Sequence, residues 1–190
     1  MKPILIVLGV IVIGGAIWYG VQTKPDASVP TATVNDVSAV TDEKKMVADE
    51  NTTTPSISGK QVDNANVKIA FTGFGPGKKH LGSFSKIDSK LALDDKGSMA
   101  GTVTVEVNSL STDTEAVTKH LKTDAFFDAV KYPTATFVVL NVGEGKATGK
   151  LTTHGVTKDI SFPVTLDSSG YSAKFNINMK EFGIDQKFAN

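Results

Sequence analysis

The sequence predicts an all-β protein, an antiparallel barrel with one short helix between strands, preceded by an apolar amino-terminal helix and a flexible linker. Three observations carry this. From Lys60 onward apolar and polar residues alternate with period two, short glycine-bearing stretches separate the alternating runs, and one stretch, Ser109 to Val139, replaces alternation with helical spacing. The chain has 190 residues, enough for one domain with appendages, and its 40% hydrophobic and 7% aromatic content is an ordinary globular mixture.

Residues 1–21 form the first element. Ile4 to Val21 is an unbroken run of 18 apolar or glycine residues. As a helix it would extend about 27 Å, close to the roughly 30 Å of a bilayer's hydrocarbon core. Lys2 precedes it and Trp18-Tyr19 stand near its far end, where aromatic rings favour the interface. A cleaved signal peptide is the competing reading, but no A-x-A site follows and the apolar stretch is long for one. The expectation is a membrane anchor with the bulk of the chain outside the cytoplasm, periplasmic or on the extracellular face. Residues 22–59 then read as a tether: rich in Thr, Ser, Ala and Asp, punctuated by Pro25, Pro30 and Pro55, and without periodicity. A coil of that length spans roughly 35 Å.

Residues 60–190 carry the strands. Val67, Ile69 and Phe71 share one face, as do Val103, Val105 and Val107, then Ile160, Phe162, Val164 and Leu166, then Tyr171 to Met179 at every second position. One-sided alternation marks antiparallel strands with one buried face. Asp94-Asp95-Lys96-Gly97, Gly143-Glu144-Gly145, His154-Gly155 and Ser168-Ser169-Gly170 suit hairpin links. Between the strands, Thr112 and Glu115 have capping-box spacing, and Val117 and Leu121 lie one turn apart on a short helix. Phe126-Phe127 follow, and Pro133 opens the run Thr134 to Leu140 at a position where a strand spares a ladder donor. A helix and two phenylalanines across one barrel mouth are either a ligand entrance or a lid on the core.

Several segments together carry a family likeness: KHLKTDAFFDAVKYPTATF from Lys119 to Phe137, HLGSF from His80 to Phe84, GKLTTHGVTKDISFPV from Gly149 to Val164 and FNINMKEFGI from Phe175 to Ile184. In that order they resemble the YceI-like family of lipocalin-like barrels. The resemblance covers about Lys60 to Ile184. It implies an extracytoplasmic protein that binds a long polyisoprenoid or isoprenoid-quinone-type lipid inside the barrel, with no cofactor and no catalysis. Alternation and resemblance together make Phe71, Val105, Phe126, Phe127, Phe137, Phe162, Phe175 and Ile177 the candidate lipid contacts, although Phe137 stands out of phase with Thr134, Thr136, Val138 and Leu140. His80, His120 and Lys122 are candidates for a polar head at the rim. Members usually continue beyond the FGI motif with a strand that closes the barrel. Here six residues follow, so the expectation is a truncated form, an open barrel, or a gap filled by a segment from elsewhere.

Other functions find little support. Twenty basic and twenty acidic residues cancel, which removes a general electrostatic reason for nucleic acid as a partner. Cysteine is absent, and the three histidines are 34 or more residues apart without metal-ligand spacing, so no metal is expected. No nucleophile elbow, phosphate loop or dinucleotide fingerprint occurs. The alternative to lipid binding is a filled barrel that presents a surface to a partner protein.

Overall fold

The alternating runs become strands in a computed structural model that describes residues 6–13 (backbone alone), 27–36, 59–63, 67–75, 78–168 and 170–184. Two seven-stranded sheets enclose the core. The first contains β1 (Ile6–Ile13), β4 (Val67–Gly75), β5 (Lys78–Phe84), β8 (Leu110–Thr112), β12 (Thr165–Asp167), β13 (Gly170–Ser172) and β14 (Phe175–Ile177). The second runs in the order β2 (Thr33–Asp36), β11 (Val156–Pro163), β10 (Lys146–Thr153), β9 (Thr134–Gly143), β7 (Met99–Glu106), β6 (Ile87–Leu93) and β3 (Lys60–Gln61). The single α-helix among the described residues, α1 (Glu115–Lys122), follows β8.

Three of the expected turns form as expected. Glu144 and His154, each followed by glycine, sit at positive φ in the β9–β10 and β10–β11 hairpins, the handedness that matches strand twist. The Asp94 carboxylate accepts the amides of Lys96 and Ser98 at 2.9 and 2.7 Å and holds the β6–β7 turn. Ser169, in the fourth turn, lies outside the described residues, although β12 and β13 pair antiparallel across it.

The phase conflict at Phe137 is resolved by a bulge. Gly149 pairs with Val139 and Thr148 with Asn141, so Leu140 is an extra residue in β9, and β7 shifts at the same place. Ala135, Phe137 and Val139 point inward before the bulge and Val142 after it, while Leu140 is turned out.

Three expectations need correction. The expected antiparallel barrel is two sheets without a continuous ladder, stitched at two corners. At one, Ser85 N–H donates to Ser109 O at 3.3 Å, Glu106 N–H to Lys86 O at 3.1 Å and Val107 N–H to Pro133 O at 2.8 Å. At the other, residues from the expected linker enter the fold: Thr33–Asp36 pairs antiparallel with β11, while Ala32 N–H and Asn176 N–H bond to Asn176 O and Pro30 O, both at 2.8 Å. The second correction concerns the expected membrane helix. Ile6–Ile13 is instead a strand parallel to β4 on one side and to β13 and β14 on the other. Six of its eight residues are β-branched, and paired edges satisfy backbone groups as fully as a helix does. The rest of the run to Val21 lies outside the described residues. Among the described residues no helix is long and apolar enough to cross a membrane. Third, α1 starts without the capping box: its N-cap is Thr114, and the Thr112 hydroxyl bonds Thr114 O at 2.8 Å and lies 2.9 Å from the Thr118 hydroxyl.

Candidate functional site: an apolar cavity beneath the helix

The inward faces of the strands do not meet completely. Between them is a cavity of about 110 Å³, walled by β4, β7, β9, β10, β11 and β14 and by Phe127 after α1. Thr136 and Thr153 supply the only hydroxyls in its lining, and the Thr136 hydroxyl is 3.4 Å from that of Thr104. No titratable side chain reaches it from the described residues. Such a wall offers dispersion and burial to an apolar group and nothing to a charge.

Of the eight residues expected to face a ligand, Phe71, Val105, Phe127, Phe137, Phe162, Phe175 and Ile177 line this cavity. Phe126 does not. It is buried at 4% exposure against Phe127, ring centroids 5.5 Å apart, and presents its other side to His120 at 6.0 Å. The turn after α1 separates the two rings: Phe126 N–H donates to Thr123 O and Phe127 N–H to Leu121 O, so adjacent residues leave the helix in different directions. Leu121 is buried beneath α1 and Val117 packs partly buried beside the core, which fixes the helix against the core.

Ten lining residues were not among the candidates: Ile69, Phe84, Val103, Val107, Ala135, Thr136, Leu151, Thr153, Ile160 and Met179. Ile160 and Met179 stood on inward phases. Phe84 had a weaker signal, because its in-phase neighbours in β5 are His80 and Gly82, which break the hydrophobic pattern. Gly82 has a purpose of its own. A Cβ there would lie 2.2 Å from Phe71 Cζ, and one at Gly149 would lie 2.6 Å from the Phe137 ring, so each aromatic is seated over a residue with no side chain.

The three rim candidates gather around α1 but not in the cavity wall. His80 Nδ1 is 2.9 Å from Asp113 Oδ1 and ties β5 to the segment that enters the helix. His120 and Lys122 stand in the last turn, where Lys119 also pairs with Glu115. A further cluster joins three of the sequence motifs at one end of the fold. The Tyr132 and His154 rings lie 4.7 Å apart, Lys131 Nζ is 5.1 Å from the Tyr132 centroid, and Gly183 is beside His154. The hydrogen bond and proximity to the Tyr132 phenol raise the Lys131 pKa above its ordinary value. Among the described residues no group of three His, Asp or Glu is placed to hold a metal ion.

Fold and cavity together define a class: a two-sheet β protein with a partly open apolar chamber, lined on one side by the phenylalanine that follows a short helix. Residues 61–190 match the family described as YceI-like domain, and this chain belongs to that family. The family is one of lipid-binding, barrel-type proteins. UPF0312 proteins of Yersinia pestis (strain Pestoides F) and Yersinia pseudotuberculosis serotype O:3 (strain YPIII) are each 36% identical over 132 residues, covering 56% of this chain and 67% of theirs. Among solved structures, BcnA of Burkholderia cenocepacia is 29% identical with a TM-score of 0.41, covering 47% of this chain and 61% of its own. The YCEI protein of Campylobacter jejuni is 24% identical with a TM-score of 0.44, covering 74% of this chain and 85% of its own.

Proposed function

We propose that this protein holds an isoprenoid-type lipid, of the polyisoprenoid or isoprenoid-quinone class, with its chain in the cavity, and performs no chemistry on it. The carrying observation is the lining: seventeen residues of which only Thr136 and Thr153 are polar, with both hydroxyls small enough to leave the surface apolar. Burial of a methylene in such a wall contributes about 0.8 kcal/mol. Methyl-branched chains suit a chamber walled by rings and branched aliphatics, which offers grooves rather than a smooth bore. The polar head would stay at the α1 end, near His120 and Lys122; His80, held by Asp113, is the weaker candidate of the three. The filled-barrel alternative is disfavoured by the cavity itself.

The extracytoplasmic part of the reading rests on what the likeness to the YceI-like family implies for this chain. Protease added to the outside of cells stripped of their wall and outer layers should digest the domain. Protection of the domain in intact, stripped cells would overturn that location.

The binding reading is tested by native mass spectrometry of the full chain purified from its own host, followed by organic extraction. A mass increment that extracts as a prenyl lipid is the expected result. A protein that carries no lipid, and takes up none when offered isoprenoid alcohols, would sink the reading.

A further inference from the structure

Beyond the main cavity is a second, much smaller chamber of about 10 Å³, bounded by Leu91, Met99, Ala147 and Tyr171. Phe137 and Phe162 belong to the walls of both. The division repeats on four stretches of chain. Val103 and Val105 on β7, Ala135 on β9, Ile160 on β11 and Ile177 on β14 face the main cavity; toward the other end of each stretch, Met99, Val139, Val164 and Tyr171 face the small one. The boundary is therefore a layer across the interior. Its members touch: Phe137 and Phe162 have centroids 5.7 Å apart, and Phe162 stacks on Phe175 at 4.0 Å and 13°.

We propose that Phe137 and Phe162, backed by Phe175, form a floor that sets the length of chain this protein encloses; the proposal rests on the lipid-binding reading above. An apolar cavity of about 150 Å³ takes one benzene, so the main cavity of about 110 Å³ takes roughly four carbons, about one isoprene unit. The small chamber holds about one water-sized group, so neither ring has space to swing into it. Phe162 stands directly across the ladder from Ala147, and Phe137 leans over Gly149, so β10 carries small residues beneath both rings. A longer prenyl chain enters by about one unit and leaves the remainder outside.

The experiment measures binding of isoprenoid alcohols of ten, fifteen and twenty carbons to the full-length protein and to Phe162→Leu, which joins the chambers while keeping the site apolar. The native protein should bind all three within about threefold, because carbons beyond the floor gain no burial, whereas Phe162→Leu should favour the twenty-carbon alcohol by about tenfold or more. Phe137→Leu is the second variant, used if thermal melting shows that Phe162→Leu does not fold; the same gain in either supports the floor. Tightening of about tenfold or more with each added unit in the native protein overturns it without recourse to any variant. So does a flat profile in both folded variants while ten-carbon binding persists. Binding of none of the alcohols by the native protein instead sinks the lipid-binding reading, and the floor with it.

Discussion

Phe71 and Phe137 occupy the cavity wall because the residue beneath each ring is glycine. In Gly82→Ala the added methyl would start 2.2 Å from Phe71 Cζ, so the ring must move into the cavity. We expect a loss of about 1–3 kcal/mol in stability and weaker binding of a ten-carbon isoprenoid alcohol, read by thermal melting and titration. Burial makes Phe175 more sensitive still. At 5% exposure, with its ring stacked on Phe162, Phe175→Asp would bury an unpaired carboxylate, and the variant should fail to fold when followed by circular dichroism. Its exposed neighbour Lys174 is the matched control, and Lys174→Ser should fall within about 0.5 kcal/mol of the native protein. Asn176, on the same outward phase, is not neutral as alternation alone would have it. Its Nδ2 donates to Val29 O at 2.9 Å, so Asn176→Asp loses a donor against a carbonyl and should cost about 1–3 kcal/mol. Alternation identifies the face a residue occupies; it does not show that another segment covers that face.

At the scale of elements, β2 shows how a polar, aperiodic stretch becomes a strand. Thr33–Asp36 has no hydrophobic alternation to announce it, and its place is set by backbone pairing with β11, Val34 opposite Ile160 and Asp36 opposite Lys158. Asp36 also forms an ion pair with Lys158. The hydrogen bond from Lys158, then its charge, lowers the pKa of Asp36 below the usual carboxylate value. A carboxyl with a depressed pKa in the folded state adds stability that is fully present above its unfolded pKa and is lost as pH falls through the folded one. Docking of β2 should therefore weaken below about pH 4, and amide exchange of Thr33 to Asp36 should rise there relative to β9 and β10. Lys158→Ala should raise that exchange at neutral pH and abolish its acid dependence. Exchange that stays parallel to the central strands at every pH would show that the pair does not hold the element. The short helix was easier to read, since Val117 and Leu121 do face the core, but its cap was not: Thr112 at capping-box distance from Glu115 serves a hydroxyl network with Thr118 instead.

For the whole molecule, the amino-terminal third determines whether the apolar interior is enclosed. β1 lies between β4 and the β13–β14 stretch, and residues 29–36 bridge β14 and β11, so both seams are filled by chain outside the alternating region. A chain starting at Lys60, which the linker expectation would make an independent domain, should expose these edges. We expect it to melt at lower temperature than the full chain and to associate in size-exclusion chromatography. A monomeric Lys60 chain of equal stability would show that residues 60–190 close the seams unaided.

What the sequence determined by itself is what side-chain spacing encodes locally. Spacing alone set the strand-rich class, three of the hairpin turns, the helix after β8, and Phe71, Val105, Phe162, Phe175 and Ile177 at the cavity, because a period of two places a side chain inside or outside irrespective of which strand comes next, whereas Phe127 and Phe137 came from the family resemblance. Only the tertiary structure decided which edges pair, and with what. Backbone N–H and C=O groups are the same in every residue, so an apolar run that could cross a bilayer and a polar run that could remain a tether carry no mark of the seams they fill. The same holds for the engagement of His80 with Asp113 and for the aromatic floor between the two chambers. Each depends on residues far apart in the chain, and distance in space is a property that periodicity does not contain.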